Sequence, residues 1–167
     1  MVEANEKKEE LKTFNMLNDC MFKAVFRSVD ARGVVASILQ EITGISKEVF
    51  MDAYFVSGEI PKKIINEKGK TADIIIKVEK DLTLIVEMNQ FHNDNIGRKN
   101  LSYAYATYIE STTGGKSPVY PKVILINIDN YNYNGVDVAI QEFRSRDQFG
   151  NIEDGDDIIK NICYLKI

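Results

Sequence analysis

Two early stretches place apolar residues at helical spacing. Met21, Phe22, Val25 and Phe26 follow Asn18-Asp19, a pair suited to starting a helix. Val34, Val35, Ile38, Leu39 and Ile42 follow Asp30, a second capping candidate, and stop at Gly44. The pattern then changes to short strands. Ala53–Val56 reads as a strand broken by Ser57-Gly58, and Pro61–Lys70, with four lysines and one glutamate, reads as a basic loop. Thr71–Val78 and Leu82–Asn89 are rich in β-branched residues and flank Glu79-Lys80-Asp81, so they predict a hairpin. After a polar loop at Gln90–Asn95, Ile96, Leu101, Ala104, Tyr105, Tyr108 and Ile109 mark one stripe of a helix running from Asp94 to Ser111. Gly114-Gly115, Pro118 and Pro121 punctuate a loop over Thr112–Pro121. Lys122–Ile128 is an unbroken buried strand, Tyr131–Gly135 a turn, and Val136–Arg146 an alternating strand. Gly150–Asp157 is acidic and turn-like before a last strand within Ile158–Ile167. The order α-α-β-β-β-α-β-β-β implies an α/β domain, a central mixed sheet flanked by helices.

Register within the hairpin singles out two residues. With Val78 paired to Leu82 around a three-residue loop, Asp73 stands opposite Glu87. Directly opposed side chains lie roughly 4.5–5.5 Å apart at Cβ, where like charges repel. A divalent cation, a shared proton or a nearby base would offset that repulsion. Alternation puts Ala72, Ile74, Ile76 and Val78 on one face with Leu84, Val86 and Met88. Asp73, Ile75 and Lys77 share the other with Thr83, Ile85, Glu87 and Asn89. The competing reading is a solvated face of an ordinary hairpin. Ile75 and Ile85, in the middle of the acidic face, argue against it.

Size and charge narrow the classes. The chain has 167 residues, 44% hydrophobic, enough for one core and no basis for two. Residues 1–12 form a polar lead-in to a single domain over 13–167. A net charge of −4 gives no bulk attraction to nucleic acid, so binding would rest on local basic groups such as the lysines of 62–70. No apolar run is long enough to span a bilayer, and the charged Met1–Lys12 is no signal peptide. Cys20 and Cys163 have no metal-ligand or redox spacing and read as reduced thiols of a cytoplasmic protein. His92 is the single histidine and no nucleophile motif accompanies it, which disfavours a Ser-His-Asp mechanism. The chain stops within the strand-like Tyr164-Leu-Lys-Ile167, as a truncated product would.

Several segments, in order, resemble a known family. Asp73-Ile-Ile-Ile-Lys77 followed by Leu84-Ile-Val-Glu-Met-Asn89 is similar to the core of PD-(D/E)XK nucleases, and more closely to the recombination-promoting, transposase-like Rpn branch. Asn18-Asp-Cys-Met-Phe-Lys-Ala-Val-Phe26, Arg98-Lys-Asn-Leu-Ser-Tyr-Ala-Tyr105 and Tyr120-Pro-Lys-Val-Ile-Leu-Ile-Asn-Ile128 are similar to its opening helix, its helix after the acidic strand and its next core strand. The resemblance covers about residues 14–167. It implies a restriction-endonuclease-like sheet and metal-dependent DNA hydrolysis. Asp73 and Glu87 would hold Mg²⁺ or Mn²⁺ with the Met88 carbonyl and waters. Arg98 and Lys99 would contact DNA, and a homodimer would suit cutting of both strands. The third position departs from the pattern. Where the superfamily carries Lys and the Rpn branch commonly Gln, this chain has Asn89, which can orient a water and supplies no cation. Lys77, on the acid face two pleats along the strand from Asp73, is the candidate replacement. The alternative function is a weakened or inactive nuclease-fold module that binds nucleic acid or protein. On purely structural readings, Asp19 and Lys23 are capping and surface residues and His92 a loop residue.

Overall fold

The computed structural model describes residues 18–56, 58–60, 70–78, 81–112, 114–115, 117–152 and 159–163. The lead-in at 1–12 and most of the basic loop, 61–69, lie outside them. Three helices come first: α1 (Asp19–Arg27), α2 (Arg32–Thr43) and α3 (Lys47–Met51). Strands β1 (Tyr54–Val56), β2 (Glu59–Ile60), β3 (Lys70–Thr71), β4 (Ile74–Val78) and β5 (Leu82–Asn89) lead to α4 (Ile96–Ser111). Then come β6 (Lys122–Asp129), a 3-10 turn at Tyr133–Gly135, β7 (Ile140–Phe143) and β8 (Ile159–Cys163).

Asn18 starts α1 as expected, its side chain accepting from the backbone N–H groups of Cys20 and Met21. Gly44 closes α2 in the left-handed conformation, at φ 71°. Asp30 does not cap α2. The helix begins one residue later, with Ala31 at the cap position and the Ser28 hydroxyl accepting from Ala31 N.

Six strands form one mixed sheet in the order β1-β4-β5-β6-β8-β7. The β5–β6 and β6–β8 pairs are parallel, and the others antiparallel. Residues 90–121, α4 among them, form the crossover that parallel β5 and β6 require. One face of the sheet carries Ile74, Ile76, Leu84, Val86, Met88, Ile124 and Ile126 against Phe22, Phe26, Leu39 and Phe50 of the first three helices. The opposite face packs Ile75, Ile85, Val123 and Leu125 against Ala104 of α4. Ile75 and Ile85 are therefore core residues beneath a helix, and the acidic face of the hairpin is not a solvated one.

Val78 pairs with Leu82 and Ile74 with Val86, the predicted register. The first arm is shorter than its β-branched run implies. Thr71 pairs with Glu59 in a separate two-stranded ladder, and Ala72 N donates to Gly58 O at 2.7 Å. The chain thus leaves β5 at Asp73. Alternation restarts there, and Ala72 is buried in the α4-side core rather than beside Ile74. The detour needs glycine at position 58, because a Cβ there would meet Ala72 O at 2.1 Å. A Gly58→Ala chain is expected to be about 2 kcal/mol less stable in urea unfolding, the usual scale for forced overpacking.

Helix α3 had no counterpart among the elements expected from the sequence, and Val136–Arg146 gives only the four-residue β7. The basic-loop reading over Pro61–Lys70 ends one residue too late, since Lys70 pairs with Ile60.

Candidate metal centre

Just before β4 begins, two carboxylates continue its ladder to β5. Asp73 N donates to Glu87 Oε1 at 2.9 Å, and Met88 N donates to Asp73 Oδ2 at 3.0 Å. Each acid thus binds backbone of the other's strand, and two side chains do the work of the missing strand pair. The other two carboxylate oxygens face ammonium groups. Lys99 Nζ lies 2.6 Å from Glu87 Oε2, and Lys23 Nζ lies 3.1 Å from Asp73 Oδ1. Opposed like charges are compensated in this way, one lysine to each acid.

The two acids differ in setting. The Glu87 side chain is 2% exposed and that of Asp73 is 20% exposed. Burial pushes the Glu87 carboxyl above the usual carboxylate range, and Lys99 only partly opposes it. For Lys99, burial disfavours the ammonium, but the hydrogen bond and charge of Glu87 outweigh it and the net shift is upward. The two directions agree physically: the fold retains the proton on Lys99 and makes the charge on Glu87 expensive. Lys23 also titrates above its ordinary value, held first by Asp19 and then by Asp73.

Lys23 arrives from α1, whose polar edge carries Asp19, Lys23 and Arg27 at four-residue spacing. Lys23 Nζ also binds Asp19, at 2.9 Å, and an Arg27 guanidinium nitrogen donates to Asp73 O at 3.2 Å. Asp73 is therefore held at its N–H by Glu87, at its carbonyl by Arg27 and at its carboxylate by Lys23 and Met88 N.

Other predicted site residues stand farther off. Lys77 pairs with Thr83 toward the closed end of the hairpin, four residues from Asp73, and makes no ion pair with either acid. Arg98 is exposed at the start of α4, likewise without an ion pair to the acids. Asn89 is buried and turned toward β6, its Nδ2 donating to Asn127 Oδ1 at 3.2 Å and to Asp129 Oδ1 at 2.8 Å. Asp129 is buried, and that burial raises its carboxyl against the hydrogen bonds from Asn89 and Tyr131. Asn127 and Asp129 occupy positions paired with Glu87 and Asn89 across the parallel β5–β6 ladder. One face of the two strands thus changes from apolar (Ile85, Val123, Leu125) to polar at their C-terminal ends. On α4, Asn100 is buried with Oδ1 unpaired among the described residues.

A family model described as PD-(D/E)XK nuclease family transposase matches residues 16–161. The chain belongs to this family. Comparison with curated proteins and with solved structures finds no match. Membership gives this PD-(D/E)XK transposase-family chain a nuclease-like function and the restriction-endonuclease-like sheet seen here, and it implies contact with nucleic acid. Nucleases of this family generally use divalent metals. The donor set suits a hard cation, since two carboxylates already draw two ammonium groups as resident positive charge. Among the described residues no group of three or more His, Cys, Asp or Glu side chains gathers as a metal cage. No helix among the described residues is long and apolar enough to cross a membrane.

Proposed function

We propose that the chain is a metal-dependent DNA endonuclease of the Rpn type. Asp73, Glu87 and the Met88 carbonyl would hold Mg²⁺ or Mn²⁺. The observation that carries this reading is the reciprocal lock between Asp73 and Glu87, each carboxylate compensated by its own lysine. Bound there, the cation would supply an acidified water and charge stabilisation at phosphorus.

The chain's own residues account for the remaining requirements. Asn89 spends both amide hydrogens on Asn127 and Asp129, so only its Oδ1 is left to accept from a water. The third position of the motif therefore lacks positive charge. Lys99 replaces it, carrying its ammonium on Glu87 from the following helix. Lys99 and the exposed Arg98 then offer cationic contacts to the DNA backbone at the same end of α4.

The turning of Asn89 into β6 favours a second reading, a nuclease-fold module that binds nucleic acid without cutting it. One experiment separates the two. The full chain is titrated with Mn²⁺ and Mg²⁺ while its melting temperature is followed, then incubated with supercoiled plasmid. The endonuclease reading expects a metal-dependent rise in melting temperature and metal-dependent nicking. Retention of DNA in a gel shift with no nicking in either metal would instead establish the binding module.

A further inference from the structure

Lys23 sits on Asp73, the more exposed acid of the pair, and its contacts differ in kind from those of Lys99. Among the described residues the Lys99 ammonium has one carboxylate partner, at 2.6 Å, and that carboxylate is 2% exposed. Lys23 is shared between two carboxylates, Asp73 at 3.1 Å and Asp19 at 2.9 Å. The Asp19 side chain is 54% exposed and lies one turn back on the same helix. If Lys99 let go of Glu87, a buried carboxylate would lose the one ammonium it has among the described residues. If Lys23 let go of Asp73, it would keep a partner.

We propose that Lys23 is a resident counter-cation that a divalent metal displaces from Asp73, with Asp19 retaining the released ammonium. The inference rests on the metal-site reading above. The charge count supports it. Asp19, Asp73 and Glu87 set three negative charges against two ammoniums and the Arg27 guanidinium on the Asp73 carbonyl, leaving no net charge. Adding a divalent cation beside both lysines would make the cluster positive and push three cationic centres together. Moving to Asp19 the ammonium that already has a second carboxylate partner, Lys23, relieves that repulsion. In the metal-free protein Lys23 prevents an uncompensated repulsion between Asp73 and Glu87, and metal affinity is lowered by the competition.

The test is isothermal titration of Mn²⁺ into the full chain and into Lys23→Met, Lys23→Arg and Lys47→Met variants. Circular dichroism melts without metal establish that each is folded. Lys23→Met keeps the aliphatic stem and removes the competing charge, so its dissociation constant is expected to be roughly fivefold lower than wild type, the scale of a partly exposed ion pair. Lys23→Arg retains a cation and is expected to bind like wild type. Lys47 is exposed on α3, and its replacement makes the same change in net charge without changing the affinity. Equal or weaker binding by Lys23→Met overturns the inference and leaves the metal-site reading intact. Equal tightening in Lys47→Met overturns it as well, since net charge alone would then explain the effect. Absence of Mn²⁺ binding by both wild type and Lys23→Met overturns the metal-site reading and this inference together.

Discussion

A Glu87→Gln chain is expected to lose the metal-dependent rise in melting temperature and to nick plasmid about a thousandfold more slowly, equivalent to about 4 kcal/mol of lost transition-state stabilisation. Glutamine matches glutamate in size, and its carbonyl oxygen can still accept from Asp73 N where Glu87 Oε1 now does. The hairpin lock therefore survives. The substitution removes the negative charge and presents an amide group to the Lys99 ammonium, which now sits on Glu87 Oε2. One carboxylate, Asp73, would remain for the cation, and a neutral amide is a poor partner for a hard divalent ion. Single-turnover nicking at saturating Mn²⁺, with melts in parallel, measures both effects. Nicking at the wild-type rate would remove Glu87 from the reaction and with it the proposed centre.

Lys99→Met is expected to destabilise the metal-free protein by about 2 kcal/mol at pH 7. Removing one partner of a buried pair strands the other charge, and the half-exposed position of Lys99 reduces the effect below that of a fully buried pair. The pH dependence follows from the raised Glu87 carboxyl. At about pH 4, below the ordinary value of 4.5, Glu87 is protonated in both folded and unfolded chains, and losing Lys99 matters little. As pH rises through its elevated folded value, the carboxyl must ionise under burial without its ammonium. The gap between wild type and variant should therefore open from pH 4 toward pH 7. Urea unfolding at both values checks this. A Lys99→Met/Glu87→Gln double variant should recover much of the loss, because it strands no charge.

The hairpin was legible because two independent signals agreed. The three-residue linker sets Val78 against Leu82, and period-two alternation then carries the register to Asp73 and Glu87. The start of β4 was not legible. Nothing local in Thr71-Ala72 reveals that Gly58 and Glu59 compete with β5 for those residues. The cationic partners show the same division. Lys77 shares a strand face with the acids, so alternation selects it, yet distance along the strand separates it from them. Lys99 reaches Glu87 because α4 crosses the sheet, and Lys23 reaches Asp73 because Phe22 and Phe26 dock α1 on the opposite face. The local reading of Asp19 and Lys23 as capping and surface residues stops at one helix, whereas Asn18 is the cap and Lys23 bridges Asp19 to Asp73. Asn127 and Asp129 did leave a signal. They are two polar residues at alternate positions closing an otherwise apolar strand, the pattern of a site at a strand's C-terminal end. The helix α3, at five residues, is too short to display a period.

Arg27 and Lys23 together tie the loop before β4 to the first helix. A folding chain that has formed its hairpin and parallel strands but has not yet seated that helix would contain both acids with one of them unanchored. In such an intermediate the acid pair would be complete only once the first helix had latched onto it.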